Sequence, residues 1–291
     1  MKKWLLLFLT FPILGVCANE LTEDYLDIAA NYAVYGDYNN SLMYINKILE
    51  IEPSNIDAKE LKSILLRTKN ETSKSYLSST NKNLEKAFNA KKIGKRTEVL
   101  SALSSNDYWS NYFLAEYYRD NNDLSNALIY YKKAADLKPN FSQTYLGLSK
   151  IYIEQKDYQN ALNSLNKYIS FNPNSDIAYA LRAEVNMNLN NLSDAENDIK
   201  KAIDIEENIS YLLTEAKIFY HQGKYEDAKI KLITLSRNIQ TSEVYKYLGL
   251  CDYMEKDYPS ALLNLDKAII LSDDDKNLNS IYNDVKNMLE K

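Results

Sequence analysis

Residues 142–175 read SQTYLGLSKIYIEQKDYQNALNSLNKYISFNPNS. Tyr145, Leu148, Ser149 and Tyr152 recur at three-and-four spacing, and Ala161, Leu162, Leu165 and Tyr168 do so again after the polar break at Lys156-Asp157. That periodicity predicts two short amphipathic helices joined by a turn. Pro173 should end the second, because proline lacks the N–H that the helical ladder needs and clashes with the carbonyl one turn back. The same unit recurs along the chain. Ala127, Ala161, Ala195, Ala228 and Ala261 stand 34, 34, 33 and 33 residues apart, and a fixed period in this range is the signature of stacked repeats.

Small residues fall where the two helices of each hairpin must approach. In the first helix they are Ala29, Ala115, Ser149, Ala183, Ala216 and Gly249; in the second, Ser41, Ala127, Ala161, Ala195, Ala228 and Ala261. Large side chains there would push the axes apart. With only 6 Gly and 5 Pro in 291 residues, the chain has little turn chemistry for a sheet protein.

Tyr145, Leu148, Ser149, Tyr152, Tyr158, Ala161, Leu165, Tyr168 and Pro173 together resemble the pattern of the tetratricopeptide repeat (TPR) family, with Ser149 and Tyr168 departing from it mildly. The resemblance implies an all-α, right-handed superhelical solenoid of stacked helix-turn-helix hairpins, and protein binding rather than catalysis. One subgroup of the family grips chaperone tails with a Lys/Asn/Arg clamp. The matching places here hold Tyr112 and Glu116, Gly147, and Ile177 and Leu181, so that clamp is absent.

The expected organisation follows from the period. Residues 1–18 form a signal peptide: Lys2-Lys3, an apolar run from Trp4 to Val16 too short to span a bilayer, then Val16-Cys17-Ala18 as a cleavage site. A rival reading of Leu14 to Cys17 makes Cys17 the acylated cysteine of a lipoprotein box, although Val16 is bulky for that role. Either reading places the protein outside the cytoplasm, in the periplasm or cell envelope. Residues 22–55 are the first repeat. Residues 56–107 are a degenerate repeat with a basic helical insertion, since Ser41 to Ala127 is 86 residues where two repeats need about 68. Five regular repeats fill 108–275, and 276–291 form a capping helix, with Leu278, Ile281, Tyr282, Val285 and Met288 on one face.

The chemistry-bearing residues are sparse. His221 is the one histidine, which excludes a histidine triad or a multi-histidine metal site. Cys251 lies among Leu248, Gly249 and Leu250 as a small buried thiol. No phosphate loop or CxxC is present, so no enzyme activity, cofactor or metal is expected. The net charge of -5 disfavours nucleic acid. Against it, Lys82, Lys86, Lys91, Lys92, Lys95 and Arg96 face only Glu85. This basic 82–96 stretch is a solvated face or a docking patch for an anionic surface, giving a second route to the membrane besides Cys17.

The partner surface is expected on the first helices, about 100° round from the packed stripe. That rule selects Trp109, Tyr112, Glu116 and Arg119; Leu146, Lys150 and Ile153; Ala180, Glu184 and Met187; Leu213, Lys217 and Tyr220; Lys246, Leu250 and Tyr253. Aromatics with isolated charges suit a segment of a partner protein. The alternatives are a small-ligand or cell-wall-fragment binding protein and an accessory subunit of an envelope enzyme complex.

Overall fold

The computed structural model describes residues 37–69, 108–272 and 276–289, with eight helical positions between 22 and 33. The signal segment with Cys17, the basic 82–96 stretch and the insertion that carries it lie outside the described residues. Among those described, every regular element is an α-helix. They are α1 (Tyr38–Ile51), α2 (Ile56–Lys69), α3 (Tyr108–Asp120), α4 (Leu124–Leu137), α5 (Ser142–Glu154), α6 (Tyr158–Phe171), α7 (Asp176–Asn188), α8 (Leu192–Ile205), α9 (Ile209–His221), α10 (Tyr225–Ser236), α11 (Ser242–Met254), α12 (Tyr258–Ile270) and α13 (Lys276–Leu289). The fold class is all-α, built of helical hairpins. The prolines act as read: α1, α4 and α6 each stop two residues before Pro53, Pro139 and Pro173.

The chain forms two compact units. The first comprises residues up to Ile151 with Ser170–Pro173, and the second comprises Tyr152–Ile169 with Asn174 onward. In the second, each helix from α7 packs on its successor through α13, and α7 also meets α9, and α9 meets α11. The hairpin crossings use the small residues. The Ser41 hydroxyl donates to the Ala29 carbonyl at 2.7 Å. A Cβ on Gly249 would lie 3.1 Å from the Ala261 carbonyl oxygen and 2.7 Å from Leu265 Cγ. In the first unit, Tyr108 donates to Asp57 at 2.6 Å and Lys138 pairs with the same carboxylate, so the start of α2 abuts the start of α3. In the second unit Tyr211 and Asp176 join the starts of α7 and α9 in the same manner.

Each hairpin turn repeats one backbone device. Asn122, Lys156, Asn190, Gly223 and Lys256 are all left-handed, with φ between 59° and 77°. Each turn closes with paired bonds of the Schellman type, such as Asp123 N–H to the Tyr118 carbonyl and Asn122 N–H to the Arg119 carbonyl. The residue that follows is Asp123, Asp157 or Asp257 in three of the five turns. There its N–H closes the first helix, while its carboxylate accepts from the backbone N–H three residues on to start the second.

A pair of positions facing each other across the hairpin is filled with three kinds of chemistry. Tyr32 stacks on Tyr44 and Tyr118 on Tyr130, with ring centroids 5.8 and 5.4 Å apart. At the equivalent places Lys231 sits over the Phe219 ring at 5.6 Å. Asn186 donates to Asp198 at 3.0 Å, and Asn264 donates to Asp252 at 2.7 Å. Beside them Cys251 is fully buried, and burial followed by the Asp252 and Glu255 charges pushes its thiol up to about 12. The cap-like α13 buries Leu278 and Val285 against Ala261, Leu265 and Ala268.

Candidate partner-binding face

The expected stripe divides between the two units. In the first, Trp109, Tyr112 and Glu116 are buried, at 1%, 0% and 4% exposure, and so do not line an open surface. The physical reason is aromatic packing. Trp109 stacks on Phe113 at 5.5 Å, and Phe141 meets both Trp109 and Tyr112 at 5.1 and 5.0 Å, so every residue from Trp109 to Tyr117 is buried. Glu116 belongs to a buried polar cluster, bonded to the Tyr131 hydroxyl and to Arg119 at 2.6 Å. Burial pushes the Glu116 carboxyl up, outweighing Arg119 and Tyr131, which pull it down. Arg119 keeps 18% of its side chain open. Lys150 is half-buried, and burial followed by the Arg119 charge pulls its ammonium down.

In the second unit the stripe is partly open. Ile153, Glu184, Met187, Leu213, Lys217, Tyr220, Lys246, Leu250 and Tyr253 are all half-buried, while Ala180 is buried. Lys217 on α9 bonds Glu243 on α11 at 2.7 Å. Burial pulls the Lys217 ammonium down, but the Glu243 bond and charge outweigh it and leave the group raised. Glu184 on α7 is held above the usual carboxylate range by burial first, with Lys217 opposing and Glu243 reinforcing the shift. Burial and then Lys217 lower the His221 imidazolium, favouring the neutral ring.

The stripe rule missed Glu243, Tyr247 and His221. The Tyr247 ring lies 5.4 Å from Tyr220 and 6.3 Å from His221, and Lys217 is 5.8 Å above it. Glu243 and Tyr247 are four residues apart and share a helix face, which is the signal that could have joined them. The arrangement is an aromatic surface crossed by a Glu184–Lys217–Glu243 row of alternating charge, half out of water. It can stack on apolar or planar groups and orient a polar chain by both signs of charge.

Family models for the tetratricopeptide repeat match residues 118–185 and 177–209. The two matches together run from residue 118 to residue 209, about a third of the chain. The TPR fold is typical of protein-interaction scaffolds and is generally non-catalytic. Among solved structures the chain is similar to YrrB, a TPR protein with an unusual peptide-binding site, at 18% identity and a TM-score of 0.51, covering 62% of this chain and 94% of that one. It is similar to a TPR protein from Parabacteroides merdae at 16% identity and a TM-score of 0.50, over 91% and 99% of the two chains. It is also similar to MamA from Desulfovibrio magneticus at 18% identity and a TM-score of 0.51, over 56% and 96%. At these identities the likeness is one of TPR fold. No curated protein sequence matches the chain.

Proposed function

We propose that the protein is a non-catalytic scaffold exported to the cell envelope, binding a segment of a partner protein across the first helices of its second unit. The observation that carries this reading is the half-open face of Tyr220, Tyr247 and Tyr253 around the Lys217–Glu243 pair. Rigid aromatic rings next to desolvated charges are the residue types that dominate protein interfaces, where truncating one costs about 2 kcal/mol or more. The peptide-binding site named for the similar YrrB fold supports a peptide segment as the occupant.

The test is affinity capture from the native envelope with wild type beside Tyr247→Ala/Lys217→Glu. A specific partner recovered with wild type should fall by about tenfold or more with the variant, while circular dichroism stays unchanged. Equal recovery with both would overturn the assignment of this face.

The export reading rests on the Lys2-Lys3 and Trp4 to Ala18 pattern. Intact-mass analysis of the protein from its native cells should give a chain beginning at Asn19. A chain beginning at a diacylated Cys17 would make it a membrane-anchored lipoprotein instead, and a chain retaining Met1 would remove export from the proposal.

A further inference from the structure

A cleft of 380 Å³ in the second unit departs from the repeat at several positions together. Asn166 of α6, Arg182 and Asn186 of α7, and Asn191, Asn197 and Asp198 around α8 line it. Asn186 stands where four other repeats place Tyr32, Tyr118, Tyr152 and Phe219 and the last places Asp252, so a small amide takes a place that is mostly filled by a ring. Asn197 stands at an exposed place that Met43, Ile129, Ile230 and Leu263 fill in four other repeats and Asn163 fills in a fifth. Asn191 occupies the place of the capping Asp37, Asp123, Asp157 and Asp257, yet its side chain makes no capping bond. A place that mostly carries a ring, a place that mostly carries a capping aspartate and an exposed place of α8 thus carry amides that line one cleft.

The floor is held in place by its own bonds. Arg182 grips Asp198 through Nε at 2.8 Å and Nη2 at 2.6 Å, and donates from Nη1 to Asn166 at 2.7 Å. Asn186, 4% exposed, donates to the same carboxylate at 3.0 Å. Arg182 is therefore matched by Asp198, and Asp194 adds a further negative charge at the rim, so the cleft offers no surplus of positive charge to an anion. Leu162 is its one apolar lining residue, too little for a lipid or an apolar side chain. The exposed amides of Asn191 and Asn197 instead present a donor and an acceptor on one plane, matching hydroxyl groups, which both give and accept. The volume falls in the range of small-ligand pockets, roughly 300–1,000 Å³.

We propose that this cleft binds a neutral, hydroxyl-rich ligand of the short-saccharide class. Asn191 and Asn197 make the contacts, and the Arg182–Asp198–Asn186 network fixes the floor. The site is separate from the partner-binding face, since no residue is shared between them, and either can fail without the other.

The test titrates cellobiose and N,N′-diacetylchitobiose into the full chain, with binding read by saturation-transfer NMR. Asn191→Ala/Asn197→Ala changes only exposed side chains, and circular dichroism checks that the fold is kept. Asn163→Ala alters the residue equivalent to Asn197 outside the cleft. At least one disaccharide should bind saturably to wild type and Asn163→Ala, and the double variant should bind about tenfold or more weakly through its lost hydrogen bonds. The proposal fails if neither sugar binds saturably, if the double variant binds as well as wild type, or if inorganic phosphate competes the sugar away.

Discussion

Gly147→Ala is expected to destabilise the first unit although alanine is the better helix former. A Cβ at residue 147 would lie 2.3 Å from Tyr131 Cζ and 2.5 Å from Cε1, inside any real contact. Relief would require the ring to move, but Tyr131 is fully buried and its hydroxyl is held by Glu116 and by Arg119 at 3.2 Å. Overpacking of this kind costs about 1–3 kcal/mol, and the tethered ring places the substitution at the upper end. The alanine returns only about 0.8–1.0 kcal/mol of helix propensity. A net loss of roughly 1–2 kcal/mol should lower the urea midpoint. In a Tyr131→Leu background the same change should cost nothing. A Gly147→Ala protein as stable as wild type would show that the ring is not held as described.

Arg182→Leu should be the more damaging change in the second unit. It leaves Asp198, 6% exposed, with only the Asn186 amide, and removing one member of a buried ion pair costs about 3–5 kcal/mol. Because Arg182 keeps 22% of its side chain open, water reaches the pair and the expected loss is nearer 2–3 kcal/mol. The repeat itself supplies the rescue. Leu114, Tyr118 and Tyr130 stand at the places equivalent to Arg182, Asn186 and Asp198. The triple variant Arg182→Leu/Asn186→Tyr/Asp198→Tyr should therefore return to within about 1 kcal/mol of wild type, as apolar replacement of a buried pair is often neutral. Denaturant unfolding of both variants checks this. A single variant as stable as wild type, or a triple variant no better than the single, would show that the pair is not a matched unit.

The period was legible because its markers are the residues that packing constrains most. No residue larger than Ala or Ser can stand at Ser41 or Ala127, and a proline beyond the first turn ends a helix, so composition at those places reads directly as geometry. The face of α3 was not legible. The rule that takes a stripe 100° round the helix assumes one covered side, and Phe113 and Phe141 wrap Trp109 and Tyr112 on others. The Lys217–Glu243 pair was missed for a different reason. Its partners are 26 residues apart, as are Lys229 and Glu255. Transfer by the 33-residue period instead carries Lys217 to Leu250, two helical turns beyond Glu243. The double use of Asp123, Asp157 and Asp257 is marked in the sequence by the Asp-x-x-Asn/Ser pattern of a cap, not by the small residues that mark the period.

The left-handed turns bear on how such a chain folds. Asn122 and Asn190 tolerate that backbone and Gly223 favours it, but Lys156 and Lys256 adopt it at a cost of about 1–2 kcal/mol each. Those two turns take their shape from the helices they join, not from their own residues. A hairpin released from its neighbours loses the packing that keeps its two helices in place, and with it the support for the strained turn, so helix docking and turn closure are one event. The smallest cooperative folding unit in this part of the chain is consequently larger than a single repeat, with Gly223 marking the hairpin best suited to close first.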